Sequence, residues 1–164
     1  MKRLSQGNKC LGARRLLANV FLLLLLGLPL RAFATLGGSI DSVRQDQAHL
    51  QARLTVDTRG AYTVHELTSA LGTVVKEYMS PEGKVFAVSW QGPFMPEIKL
   101  LLGSYLDEYS SAARELRERQ SGRSPLSIHT PSLVIENVGH LRAYSGRAYD
   151  PGLLPAGVNA NDLR

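Results

Sequence analysis

Cysteine is nearly absent: Cys10 is the only one among 164 residues. Beyond position 34 there is no thiol, so disulfides, thiolate nucleophiles and cysteine metal ligands are excluded there. Acidic residues are missing from residues 1–34, which hold Lys2, Arg3, Lys9, Arg14, Arg15 and Arg31. Those six belong to a total of 19 basic residues; the other 13 face 14 acidic ones, leaving residues 35–164 at −1. The overall charge of +5 and the pI near 9.6 therefore come from the N-terminus. A basic surface for nucleic acid is thereby excluded for the remainder. A long hydrophobic run is lacking as well. Leu16 to Leu28 is apolar except for Asn19, which is short of the roughly 20 residues a spanning helix needs.

What is present at the N-terminus has the three parts of a secretory signal. A positive region precedes the apolar run with its "FLLLLL", and Pro29 follows. Ala32-Phe33-Ala34 then gives small residues at the −3 and −1 positions. The expectation is a signal peptide over 1–34, cleaved after Ala34, and a periplasmic or secreted product with no stable membrane span. The pair Arg14-Arg15 is ordinary in such a basic region. Removing 34 of 164 residues leaves 130, enough to bury a core without disulfides.

Beyond the signal, residues 35–60 read as an N-terminal arm. Ile40, Val43, Leu50 and Leu54 recur near a 3.6 period, and Ser39 is placed to cap a thin helix. Residues 61–152 carry the domain. "AYTVHEL" (61–67) and "LGTVVKEYM" (71–79) alternate as strands. "SPEG" (80–83) has hairpin-turn chemistry closing on a bulge. "KVFAVSW" (84–90) is a third strand, on which Phe86, Val88 and Trp90 are expected to share one face. Pro96 opens a helix running to about Gln120. Its stripe includes Ile98, Leu102, Tyr105, Leu106, Tyr109 and Ala113. Glu115–Arg119 and Arg114–Glu118 are i,i+4 pairs on its solvated side. "PLSIH", "LVIEN" and "HLRAYSGRAY" read as further strands. Residues 153–164, rich in turn formers, read as an irregular tail. The predicted fold is α+β: an antiparallel sheet of five or six strands with one long amphipathic helix packed across it.

These segments resemble a known family. "ATLGG", "YTVHEL", "GTVVKEYMSPEGKVFAVSWQGPFMP", "LLGSY" and the late "GHLRAYSGRAY" are similar to the small exported Gram-negative bacterial proteins of the domain of unknown function numbered 2844. The resemblance runs over most of the chain after the signal. It implies export, and it carries over no catalytic or ligand residue.

Reaction motifs are scarce. His49, His65, His129 and His140 show neither His-x-His nor His-Glu-x-x-His spacing, so no metal site is expected; a cluster of His65, His129, Glu77 and Glu136 on neighbouring strands is the one arrangement that could assemble. Ser145 precedes a glycine but lacks the Gly-x-Ser-x-Gly frame. Asp107-Glu108 fall on the polar side of the helix, where carboxylates are solvated. Gly37-Gly38 and Gly92 lie outside any nucleotide-loop pattern, and no cofactor is expected.

Two readings of the stretch from Trp90 to Pro96 compete. In one, Trp90 and Phe94 close a structural corner, with the indole N–H bonded to a backbone carbonyl of the following turn. In the other, Trp90, Phe94, Tyr144 and Tyr149 line a shallow groove for a peptide, glycan or lipid, and the partner is a protein, peptide or envelope component. The functional expectation is an exported, non-enzymatic protein acting by binding a partner. The alternatives are a small hydrolase built from His65, His129 and nearby acids, and a passive envelope component.

Overall fold

The structure is a computed structural model; it describes residues 36–119 and 126–164. The segment expected to be a signal peptide, and the cleavage expected after Ala34, lie outside the described residues. Helix α1 spans Ile40–His49. Strands β1 (Arg53–Arg59), β2 (Tyr62–Thr68), β3 (Val74–Met79) and β4 (Val85–Gly92) follow as a meander. Helices α2 (Ile98–Leu102) and α3 (Leu106–Arg119) come next, then β5 (Leu126–His129), β6 (Val134–His140) and β7 (Ala143–Tyr149). All pairings are antiparallel, and the strand order is β1-β2-β3-β4-β7-β6-β5.

The expectation of five or six strands under one long helix is thus corrected to seven strands with more than one helix. The extra strand is β1, in the segment read as an arm. Leu54, counted on a helical period, belongs to it and pairs with Leu67. Only Leu54 is half-buried in β1 and the other six residues are exposed, so no alternation advertised the strand. The predicted long helix is divided at Gly103, whose φ of 47° and ψ of −114° fit no helix. Its lack of a Cβ permits that conformation, and a 3₁₀ turn at Gly103–Tyr105 joins α2 to α3. Ser39 stands at the start of α1 without a side-chain cap; instead its carbonyl accepts from the Ser42 hydroxyl at 2.5 Å.

Turn chemistry was read correctly at residues 80–83. The Gly83 N–H donates to Ser80 O at 2.9 Å, and the register shifts at Tyr78/Met79. That bulge overturns the expected sharing of a face by Phe86, Val88 and Trp90. An extra residue in one strand reverses the side-chain alternation beyond it. Val88 and Trp90 point toward the helices. Phe86 packs with Ala87 and Tyr78 on the opposite side.

The face toward the helices holds the larger core. Leu67, Val75, Val88, Trp90, Ile135 and Ala148 meet Val43 of α1, Leu101 and Leu102 of α2 and Ala113 of α3. Tyr105, Tyr109 and Leu116 pack around them, as the predicted stripe requires. Segment 36–38 is sewn in by Leu36 N–H to Leu101 O at 3.0 Å and Gly37 N–H to Val85 O at 2.7 Å. The second face is covered at one end only. There Leu153, Leu154, Val158 and Leu163 of the tail pack on Tyr62, Val64, Tyr78, Phe86 and Tyr149. The tail expected to be irregular thus closes a second core: Leu163 is fully buried, after a 3₁₀ turn at Ala160–Asp162.

Candidate functional site

Residues 153–164 cover one part of the second face, and among the described residues the other part is open. Three register rows run across the sheet there. The covered row is Val64, Tyr78, Ala87, Tyr149 and Val134. One step along comes Glu66, Lys76, Ser89, Arg147 and Glu136, and one step further Thr68, Val74, Gln91, Ser145 and Val138. The last two rows floor an open concavity of about 830 Å³, bordered by Leu163 and Arg164. Period-2 alternation explains the segregation: Lys76 and Glu77 are neighbours in sequence but lie on opposite faces.

Four of the charges in the concavity are paired. Arg147 contacts Glu136 through two nitrogens at 2.8 Å each and donates to Ala160 O at 2.5 Å. Lys76 lies 3.8 Å from Glu66 and 3.2 Å from the main-chain oxygen of Arg164. In the last of these rows and past it the surface turns apolar. Leu71 of the β2–β3 loop, Phe94 and Met95 after β4, Val138 of β6 and Leu141 of the β6–β7 turn are all exposed, Leu141 by 89%. All belong to one end of the sheet. Thr73 Oγ1 donates to Phe94 O at 3.0 Å, tying two of these loops together. The arrangement can hold a ligand that is dipolar in one part and apolar in another.

The four aromatic residues singled out by sequence do not share one surface. Trp90 is 2% exposed on the helix side, and Phe94 is 52% exposed on the apolar rim. Tyr144 lies in the Gly92–Gly139 register row, on the Trp90 side. Tyr149, half-buried on the second face, has the Arg147 guanidinium 5.9 Å from its ring centre. Gly146 is the direct partner of Trp90 on β7. A Cβ there would overlap the indole ring, so the glycine is what lets the tryptophan lie across the neighbouring strand. Tyr144 lies over Gly139 of β6 in the same way.

The expected indole hydrogen bond to the following turn is not made. Trp90 Nε1 is buried without a partner, because the ring extends toward β7 and away from that turn. Asn137, in the same register row beyond Gly146, has a buried unpartnered Oδ1.

The four-residue cluster of His65, His129, Glu77 and Glu136 does not assemble. His129 lies 4.0 Å from Glu136 on the second face. His65 is paired with Glu77 on the helix face. Glu77 is fully buried there, and Asp46 of α1 reaches the same place. Burial, together with the neighbouring Asp46 charge, pushes the Glu77 carboxyl up to about 9. Burial raises Asp46 to about 6, against the lowering influence of the neighbouring Glu77 and of His49. At neutral pH Glu77 therefore keeps its proton; neither of its oxygens, nor Asp46 Oδ2, has a hydrogen-bond partner among the described residues. Burial lowers His65, keeping the ring neutral. Sequence reasoning missed Asp46, since only packing of α1 brings it to β3. Among the described residues, no group of three His, Cys, Asp or Glu is arranged to hold a metal ion.

Glu108, expected to be solvated, has a structural task. It accepts from the Thr130 hydroxyl and from Ser132 Oγ at 2.7 and 2.8 Å. Those bonds pull its carboxyl below the ordinary value and fasten α3 to the β5–β6 turn.

No described helix is long and apolar enough to cross a membrane. No curated protein and no solved structure matches the chain. The model of a family described as a protein of unknown function, DUF2844, matches residues 32–163, spanning both cores and the open half of the second face, and the chain belongs to that family.

Proposed function

We propose that this is an exported protein that binds a polypeptide partner along the open half of its second face. The observation that carries the reading is the gradient from the charged row of Glu66, Lys76, Arg147 and Glu136 to the exposed Leu71, Phe94 and Leu141. The two ion pairs on the floor offer dipoles, which suit peptide groups better than a free anion or cation. Contiguous apolar surface at the rim is a mark of an interaction site. A hydrolase assembled from the histidines is not supported: His65 is 5% exposed, inside the core, and His129 is on the other face.

The test is photo-crosslinking in living cells. A photoreactive residue at Gln91 or Val138 is expected to give a discrete protein adduct, and one at Asp107 on α3 none. Equal labelling at both places, or none at Gln91 and Val138, rejects the site. Export is checked separately by N-terminal sequencing. A start at Thr35 is expected, and an intact Met1 on membrane-bound protein rejects it.

A further inference from the structure

We propose that β1 is the contact between two copies of this chain, joined antiparallel into one continuous sheet with a two-fold axis through Thr55. The sheet has two edges. Strand β5 is four residues long and ends at Thr130-Pro131, which blunts it against further pairing. Strand β1 is seven residues long, has no proline, and is paired with β2 along one side only. Six of its seven residues are exposed, and Val56 is 53% exposed. Among the described residues, its outer row of backbone N–H and C=O groups is open to another strand.

The sequence "RLTVDTR" selects the occupant. In an antiparallel two-fold pair, opposite residues lie on the same face, so few registers are available. Centred on Thr55, Arg53 stands opposite Asp57 of the second copy, twice by symmetry. Leu54 then stands opposite Val56, also twice, on the helix side. Centred on Val56, Arg53 would oppose Arg59 of the second copy at both ends. Centred on Leu54, Arg53 would oppose Thr55 and no ion pair would form. Only the Thr55 register matches charge with charge and apolar with apolar. Asp57 is already 2.7 Å from Arg59 in its own strand. In the dimer it would lie between that guanidinium and the Arg53 guanidinium of the second copy. The pairing uses the outer side of β1, whereas the residues lining the concavity come from β2 onward, so the proposal does not depend on the partner-binding reading above.

Sedimentation equilibrium of the full chain tests it, with two companion variants. Wild type is expected to dimerise reversibly. Arg53→Asp turns two attractions into two repulsions and is expected to weaken the dimer roughly tenfold; its unfolding midpoint checks that it stays folded. Thr55→Cys, in a chain carrying Cys10→Ser, is expected to form a disulfide-linked dimer under mild oxidation, because Cβ atoms across the axis would lie within about 5.5 Å. Thr58→Cys, off the axis, is the control that stays unlinked. A wild-type monomer at the highest attainable concentration overturns the proposal. So does a dimer that tolerates Arg53→Asp, fails to crosslink at position 55, or crosslinks equally at position 58.

Discussion

The two faces of this sheet are finished by different means. On one, three helices and segment 36–38 cover a core that runs from Leu67 through Trp90 to Ile135. On the other, residues 153–164 pack on β2, β3, β4 and β7 and bury Leu163 against Tyr78 and Phe86. The helix face spends its apolar residues on stability. The second face divides them between a small core and an exposed rim, and the concavity lies between. A functional surface therefore belongs where coverage ends, and the helix face should respond to mutation by unfolding alone.

The largest expected effects lie on the helix face. Trp90→Ala should destabilise by roughly 3–5 kcal/mol and Leu102→Ala by roughly 2–5 kcal/mol, measured by denaturant unfolding. If Trp90→Ala unfolds like wild type yet loses the photo-crosslinked adduct, the contrast between the faces is wrong.

Gly146→Ala comes next, at about 1–3 kcal/mol, because the added methyl displaces the indole. A shift in tryptophan fluorescence should accompany it. An unchanged spectrum would mean that the ring does not lie across β7.

Glu77 sharpens the same comparison through pH. Its folded value of about 9 lies above the ordinary 4.5, so the folded chain holds a proton that the unfolded chain releases. Its contribution is complete below the ordinary value and falls as pH rises toward 9. Asp46 adds to the same trend up to about 6. The unfolding midpoint should therefore be higher at about pH 5 than at about pH 8. Glu77→Gln should flatten that slope and stabilise by about 1–2 kcal/mol at the upper pH. A midpoint that rises between the two pH values contradicts the buried carboxyl pair.

Smallest of all should be Gln91→Ala and Ser145→Ala on the open half. Each is expected within about 0.5 kcal/mol of wild type, with any effect confined to adduct formation. A loss comparable to Leu102→Ala would place these residues in a core.

Sequence by itself determined what local chemistry decides. The Ser80–Gly83 turn was legible because proline and glycine restrict the backbone whatever surrounds them. The docking stripe of α2 and α3 was legible because Leu102, Tyr105, Tyr109 and Ala113 repeat at the helical period. The aromatic segment around Trp90 stood out in composition, as did the separation of charge between residues 1–34 and the rest. Tertiary structure alone decided the remainder. A single bulge near Tyr78 and Met79 turned Phe86 away from Trp90, and no residue type announces which strand gains the extra residue. Strand β1 has almost no buried side chains and exists through its hydrogen bonds to β2. Asp46 and Glu77, 31 positions apart, meet only when α1 packs on β3. The open site depends on which part of the sheet residues 153–164 cover, a contact between segments far apart in sequence that no local pattern encodes.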